Sequence, residues 1–261
     1  MWVGQARSKR RYLALGLLLA GLLLGTGAFK LLRLAWVERH IAQAQQARLA
    51  EAIAQVQREL GALEQQLFLQ ARWLATHPVV RSALRVAAQE AEPTCSADLA
   101  ALLARYRVPE RSGIALYDTT FRQVAWAGYS MPVGKAALPS QLPRQVYVEL
   151  IEDPPWRTAL SLWHPVRENG IVVGAVRVLQ LLMQRMPVEN AYLSGYDQVR
   201  LWSREHGLSL RLIVSERLPA VGTSEMVRPL KSLEGHTLGW LVLSIPPPNQ
   251  VLRDEARRFN H

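Results

Sequence analysis

Arg177 interrupts a run otherwise built from Ile, Val, Gly, Ala and Leu, Ile171-Val-Val-Gly-Ala-Val-Arg-Val-Leu179. A charge in such a strand must be exposed or paired, because desolvating it alone is costly. The plainer reading puts Arg177 on the solvent side of an amphipathic strand. The functional reading makes it a clamp for a carboxylate or phosphate, since a guanidinium grips both through paired N–H donors. Trp126, Tyr129, Tyr147, Trp156 and Trp163 fall on or beside neighbouring strand-like segments. Pockets for small molecules combine such apolar and aromatic walls with a few placed polar groups. These six residues are the candidate ligand-binding set, on one face of a sheet. For Trp126 and Trp163 core packing is the plainer reading.

Other chemistry is sparse in the chain. There is no His-Glu-x-x-His, Cys-x-x-Cys or Gly-x-Ser-x-Gly, and no glycine-rich phosphate loop. Those patterns place a metal, a redox pair, a nucleophile or a phosphate by fixed spacing, and their lack leaves no nucleophile–base pair visible. The six histidines are isolated, and His77 and His164 each precede a proline. Metal ligands need partners at helical or hairpin spacing, which these lack. The expectation is therefore a non-enzymatic chain with no catalytic residue, metal or cofactor. The single cysteine, Cys95, excludes an intrachain disulfide and reads as inert. About 200 residues bury an adequate core without such staples. Four of the cations behind the net charge of +10 lie at residues 7–11, and the rest are scattered. Without a basic stripe or interleaved aromatics the charge does not point to nucleic acid. A basic surface beside an anionic membrane suits it better.

The membrane enters with residues 12–32. Tyr12 to Phe29 carry no charge, and Arg7, Lys9, Arg10 and Arg11 precede them. A stretch of about 18 apolar residues is long enough to cross the hydrocarbon core as a helix. Only Lys30 and Arg33 follow closely, so the positive-inside rule keeps residues 1–11 cytoplasmic and sends the rest across the inner membrane. The rival is a cleaved signal peptide ending near Thr26-Gly27-Ala28, whose apolar core is usually about 7–15 residues. Both readings place the bulk of the chain in the periplasm.

Residues 33–76 form a helical stalk, with no proline and one glycine, Gly61. Leu49, Ile53, Val56, Leu60, Leu63, Leu67, Gln70 and Leu74 alternate spacings of four and three. That period of about 3.5 residues marks a supercoiling seam, and the seven apolar positions are the expected contacts of a homodimer. The other reading is one amphipathic helix packed on its own domain. His77-Pro78 ends the stalk, since the residue before proline leaves the α region.

The globular part divides into residues 77–190 and 191–246, with a tail over 247–261 that could begin a descending helix. Short helices are expected over 79–88 and 99–106. About five antiparallel strands follow, near 113–118, 121–127, 145–151, 158–164 and 171–182, with a two-residue turn between the first two and Asn169-Gly170 turning the last pair. The second block reads as a helix over 196–206 and strands over 208–215, 226–233 and 237–245. Pro165-Val-Arg-Glu-Asn-Gly170-Ile-Val-Val-Gly174 parallels Pro229-Leu-Lys-Ser-Leu-Glu-Gly235-His-Thr-Leu-Gly239. A hairpin whose outgoing strand packs closely would need both glycines. The class is α+β.

Three segments carry a resemblance. A membrane helix and stalk lead into Leu74-Ala-Thr-His-Pro-Val-Val-Arg-Ser-Ala-Leu84, then Ile114-Ala-Leu-Tyr-Asp118 and Val124-Ala-Trp-Ala-Gly128. This order, over roughly residues 30–246, resembles the extracytoplasmic Cache (PAS-like) sensor domains of bacterial transmembrane receptors, in particular those of sensor histidine kinases. The resemblance implies ligand sensing in the membrane-distal module and displacement of the stalk. Thr119-Thr120-Phe121 lacks the glycine often found in that turn, and no full amino-acid-binding signature is present, so the ligand class is open. Kinase motifs are absent and no second long apolar run precedes His261. The expectation is thus the front portion of a longer receptor, or a single-pass protein. The alternative, from another class, is a single-pass envelope assembly protein that binds partner proteins.

Overall fold

The computed structural model describes residues 43–44, 46–89, 95–106, 108–129, 142–153, 157–185, 195–215, 217–220, 222 and 225–244. The chain divides into two compact units, Met1–Ala52 and Ile53–His261. The expected basic tail (1–11), membrane helix (12–32), first stalk residues (33–42) and terminal segment (247–261) lie outside the described residues. Among the described residues no helix is long and apolar enough to cross a membrane.

Helix α1 runs through residues 46–76. His77 ends it with extended backbone, φ −71° and ψ 130°, as the following proline requires. The same residue starts helix α2, Pro78–Ala87, by accepting the Val79 N–H on Nδ1 at 3.3 Å. Pro78 suits the first helical position because the N–H it lacks would have no partner there.

The seam reading needs correction. Val56, Leu60, Leu67 and Leu74 are fully or almost fully buried, and Ile53 and Leu63 half-buried, within a single chain. Leu49 is buried as well. From Ile53 onward the helix packs on its own domain. Phe68 lies against His164 with ring centroids 6.0 Å apart, and Glu59 accepts the indole N–H of Trp202. A helix laid on a sheet selects apolar residues at the same alternating spacing as a helix laid on a partner helix. The periodicity therefore does not call for a second copy on this face.

Helix α3, Ala97–Arg105, begins at Ser96, whose Oγ accepts the Leu99 N–H at 3.2 Å. Five antiparallel strands follow: β1 Ser112–Tyr117, β2 Gln123–Gly128, β3 Tyr147–Asp153, β4 Arg157–Glu168 and β5 Ile171–Gln184. Their order is β2-β1-β5-β4-β3, and the short β6, Tyr196–Asp197, pairs the end of β5. The α+β class and the antiparallel sheet are as expected. Asn169 (φ 49°) and Gly170 (φ 82°) turn β4 into β5 with both residues left-handed, as a tight primed turn needs. The β1–β2 connection is longer than the two residues expected, because Asp118 to Arg122 build a closed loop around one carboxylate.

Helices cover one face of this sheet. Leu84 of α2 fills the space beside Gly174, and Phe68 of α1 meets His164. Leu162, Val176 and Val178 point the same way and are buried.

Helix α4, Gln198–His206, is capped by Asp197 and ends on Gly207 at φ 62°. Strands β7 Ser209–Ile213, β8 Glu225–Lys231 and β9 Thr237–Ser244 form a second antiparallel sheet in the order β7-β9-β8. The two glycine-marked hairpins hold corresponding positions. Gly170 and Gly235 both have positive φ. A Cβ on Gly174 would lie 2.5 Å from the Tyr117 carbonyl of β1, and one on Gly239 would lie 2.8 Å from the Ile213 carbonyl of β7. The residue after each glycine pairs with the strand that supplies the carbonyl, Ala175 with Tyr117 and Trp240 with Ile213. Thus β7-β9-β8 repeats the local arrangement of β1-β5-β4.

Candidate functional site

Antiparallel pairing puts directly opposed side chains on one face. Trp126 pairs with Ala115, Ala115 with Arg177, Arg177 with Trp163, and Trp163 with Tyr147. Four of the six candidate residues thus form a single row across all five strands, on the face turned away from α1 and α2. The adjacent row holds Glu149, Ser161, Leu179 and Gly113. Gly113 admits the Tyr129 backbone, whose N–H bonds the Ser112 carbonyl at 2.8 Å. This delivers the Tyr129 ring onto Ile151, Ala159 and Leu179. Trp156 lies outside the described residues.

The solvent-side reading of Arg177 is overturned, because the residue is 2 % exposed. Its Nε donates to Ser161 Oγ at 2.9 Å, its guanidinium carbon stands 5.0 Å from the centre of the Trp163 ring, and one terminal nitrogen is 3.9 Å from Glu149 Oε1. Glu149 Oε1 accepts the Trp163 indole N–H at 2.8 Å. Burial pushes the Glu149 carboxyl above its usual range, opposed by the bonds from Trp163 and Ser161 and by the Arg177 charge. Strand alternation misled here because both faces of β5 are covered, so polarity did not mark the solvent side.

The aromatics divide. Trp163 is wholly buried, with Tyr117 at 5.0 Å and Phe121 edge-on at 6.2 Å between ring centroids, as a core residue should be. Trp126 is 58 % exposed, which corrects its reading as core: β2 is the edge strand, so among the described residues no strand flanks it on that side. Tyr147, at the start of the opposite edge strand β3, is also exposed. The central part of the row, Arg177 with Trp163, is the enclosed part.

Glu149 and Ser161 were missed from the sequence. The signal was present: Glu149 is two residues from Tyr147 and so shares its face, and a buried arginine on the same sheet needs such a partner. Chemically, the cluster is a fixed positive group with unused donors. Arg has five N–H donors, and among the described residues Arg177 makes one hydrogen bond, to Ser161. The carboxylate at 3.9 Å is beyond hydrogen-bond length. The Ser161 hydroxyl is held between the two charged groups, while His164 projects to the opposite face. Among the described residues no group of three or more His, Cys, Asp or Glu side chains could hold a metal ion.

No family model matches the chain, and no curated protein matches it.

Proposed function

We propose that the chain is the membrane-anchored, extracytoplasmic ligand-input region of a signal-transduction receptor, such as precedes a histidine kinase. In this reading residues 12–32 are the inner-membrane anchor, 77–190 the Cache-like (PAS-like) sensor module and 191–246 a smaller module nearer the membrane. The observation that carries it is Arg177. It is almost fully buried in the middle of the sheet face opposite α1 and α2, with one hydrogen bond among the described residues and an aromatic beside it. A small anion reaching that guanidinium would satisfy its remaining donors, and no catalytic step is assigned. Helix α1 touches both sheets, through Phe68 on His164 of β4 and Gln57 on Lys231 of β8, and would carry a displacement toward the anchor. A homodimer in this scheme uses the outer side of α1, where Ala62, Leu69 and Trp73 are exposed.

The test is thermal stabilisation of the full chain in detergent by a panel of small carboxylates and phosphates. Compounds that stabilise the wild type are repeated on Arg177→Lys and Arg177→Ala. The lysine variant keeps the charge but loses the paired donors, so stabilisation should disappear in both. Stabilisation that persists in both variants makes the cluster a packing device and removes this reading.

A second reading, an envelope assembly protein, draws on one observation. An apolar groove of about 430 Å³ runs between α3 and β2, lined by Leu103, Ala104, Val124 and Trp126 among others. A Trp126→Asp variant that loses an envelope partner while keeping every ligand response would favour it.

A further inference from the structure

Glu64 is 4 % exposed. It shares one line of α1 with Gln57 and Gly61, at spacings of four and three residues. That line holds the turn between β8 and β9. The Gln57 side-chain amide bonds the Lys231 backbone both ways: Oε1 accepts the N–H at 3.1 Å, and Nε2 donates to the carbonyl. The Leu233 side chain lies over Gly61, where a Cβ would come within 3.2 Å of it. Glu64 Oε2 accepts the Leu233 N–H at 2.9 Å. The turn is closed by the Ser232 N–H on the His236 carbonyl at 2.8 Å.

This buried carboxyl has the wrong surroundings for a charge. Among the described residues no ion pair joins Glu64 to a cation. On the turn, Glu234 adds a second negative charge, and His236 lies 3.7 Å from Glu234 rather than beside Glu64. Lys231 meets α1 through its backbone. On α1 itself Glu59 is engaged by Trp202, the side chain that α4 presents. Among the described residues the compensation Glu64 receives is one backbone N–H, from Leu233.

We propose that Glu64 is a proton-linked latch that fastens the β8–β9 turn to α1 and grips more firmly when protonated. Burial holds its carboxyl above the usual range, and the Glu234 charge adds to this against the Leu233 bond. When the turn lifts away Glu64 meets water and returns to its ordinary pKa, so the docked state binds the proton more tightly. Docking therefore gains as pH falls through the raised value and weakens as pH rises through it. The latch lies apart from the Arg177 face and does not depend on any ligand there.

Amide hydrogen exchange on the full chain tests this, between pH 8 and pH 5, with an unfolded-peptide control to remove the intrinsic pH dependence of exchange. Protection of the 231–236 amides rises toward pH 5 in the wild type. Glu64→Gln, which fixes the neutral form, loses that dependence and is as protected at pH 8 as the wild type is at pH 5. Wild-type protection that does not change with pH overturns the latch. So does dependence retained in Glu64→Gln, since Glu234 or His236 would then be the titrating group. If Glu64→Gln does not fold, side-chain carbon NMR of the wild type decides. A Glu64 carboxyl titrating in the ordinary range overturns the proposal, and one titrating above it together with the Leu233 amide shift supports it. Arg177→Lys leaves this pH response intact, which separates the latch from the anion reading.

Discussion

Asp118 has no exposed surface and yet holds its charge. Burial alone would raise its pKa, but the bonds from Thr120 and Arg122 outweigh burial and bring it below the usual range. Its oxygens accept the Thr120 N–H at 2.8 Å, the Thr120 hydroxyl at 2.7 Å, the Arg122 N–H at 3.0 Å and the Arg122 Nε at 2.7 Å. Arg122 then reaches the Ala87 carbonyl at 3.0 Å, tying the β1–β2 loop to the end of α2. The loop forces Phe121 to φ 61°, in the turn where the resemblance suggested a glycine. Its ring packs edge-on to Trp163, so the contact offsets part of the backbone cost. Asp118→Ala leaves the donors of this loop unpaired and should cost about 3–5 kcal/mol in denaturant unfolding at pH 7. A depressed native pKa contributes stability above the unfolded value, about 3.9, that is lost as pH falls through the native one. The gap between wild type and Asp118→Ala should accordingly narrow below about pH 4. A gap that stays constant down to pH 2 would show that loop shape, not charge, is what Asp118 provides.

At the scale of elements, two further predictions follow from packing. Leu60 is fully buried in the single chain, so Leu60→Asp places a charge inside the α1 contact and should unfold the domain rather than release folded monomers. Circular dichroism and sedimentation on the same sample separate those outcomes. Gly174→Ala and Gly239→Ala each drive a methyl group into a neighbouring carbonyl, at a cost of about 1–3 kcal/mol apiece. Equal penalties would match their equivalent places in the two sheets, while a neutral Gly239→Ala would confine the constraint to the first. The paired glycines and the Asn169-Gly170 turn were legible in sequence because their reasons are local. The end of α1 at His77-Pro78 was legible for the same reason. The seam, the edge position of Trp126 and the Glu149 partner of Arg177 were not. The last two depend on strand order, β2-β1-β5-β4-β3, which joins residues far apart in the chain; spacing placed Glu149 on the face of Tyr147 but could not place that face beside Arg177. The three-and-four pattern of α1 could not say whether a helix or a sheet would cover it.

At the scale of the whole molecule, α1 is the element common to both sheets, through Phe68 on His164 and through Gln57 and Glu59 on the second module. Anything that shifts the helix is felt by both. Whether that linkage serves signalling depends on the segment upstream of it. Arg7, Lys9, Arg10 and Arg11 lie before the uncharged stretch, against Lys30 and Arg33 after it. On the anchor reading, this excess of two cations sets the direction by the positive-inside rule. An alkaline phosphatase fused after Ser244 should therefore be active, because that enzyme needs the oxidising periplasm to form its disulfides. A β-galactosidase at the same place should be inactive. Changing Lys9, Arg10 and Arg11 to Glu removes three of the four leading cations and should lower the phosphatase signal. Deleting residues 12–32 should abolish it and move the protein to the soluble fraction. Phosphatase activity retained after that deletion would mean that another segment exports the chain, and the anchor reading would fall.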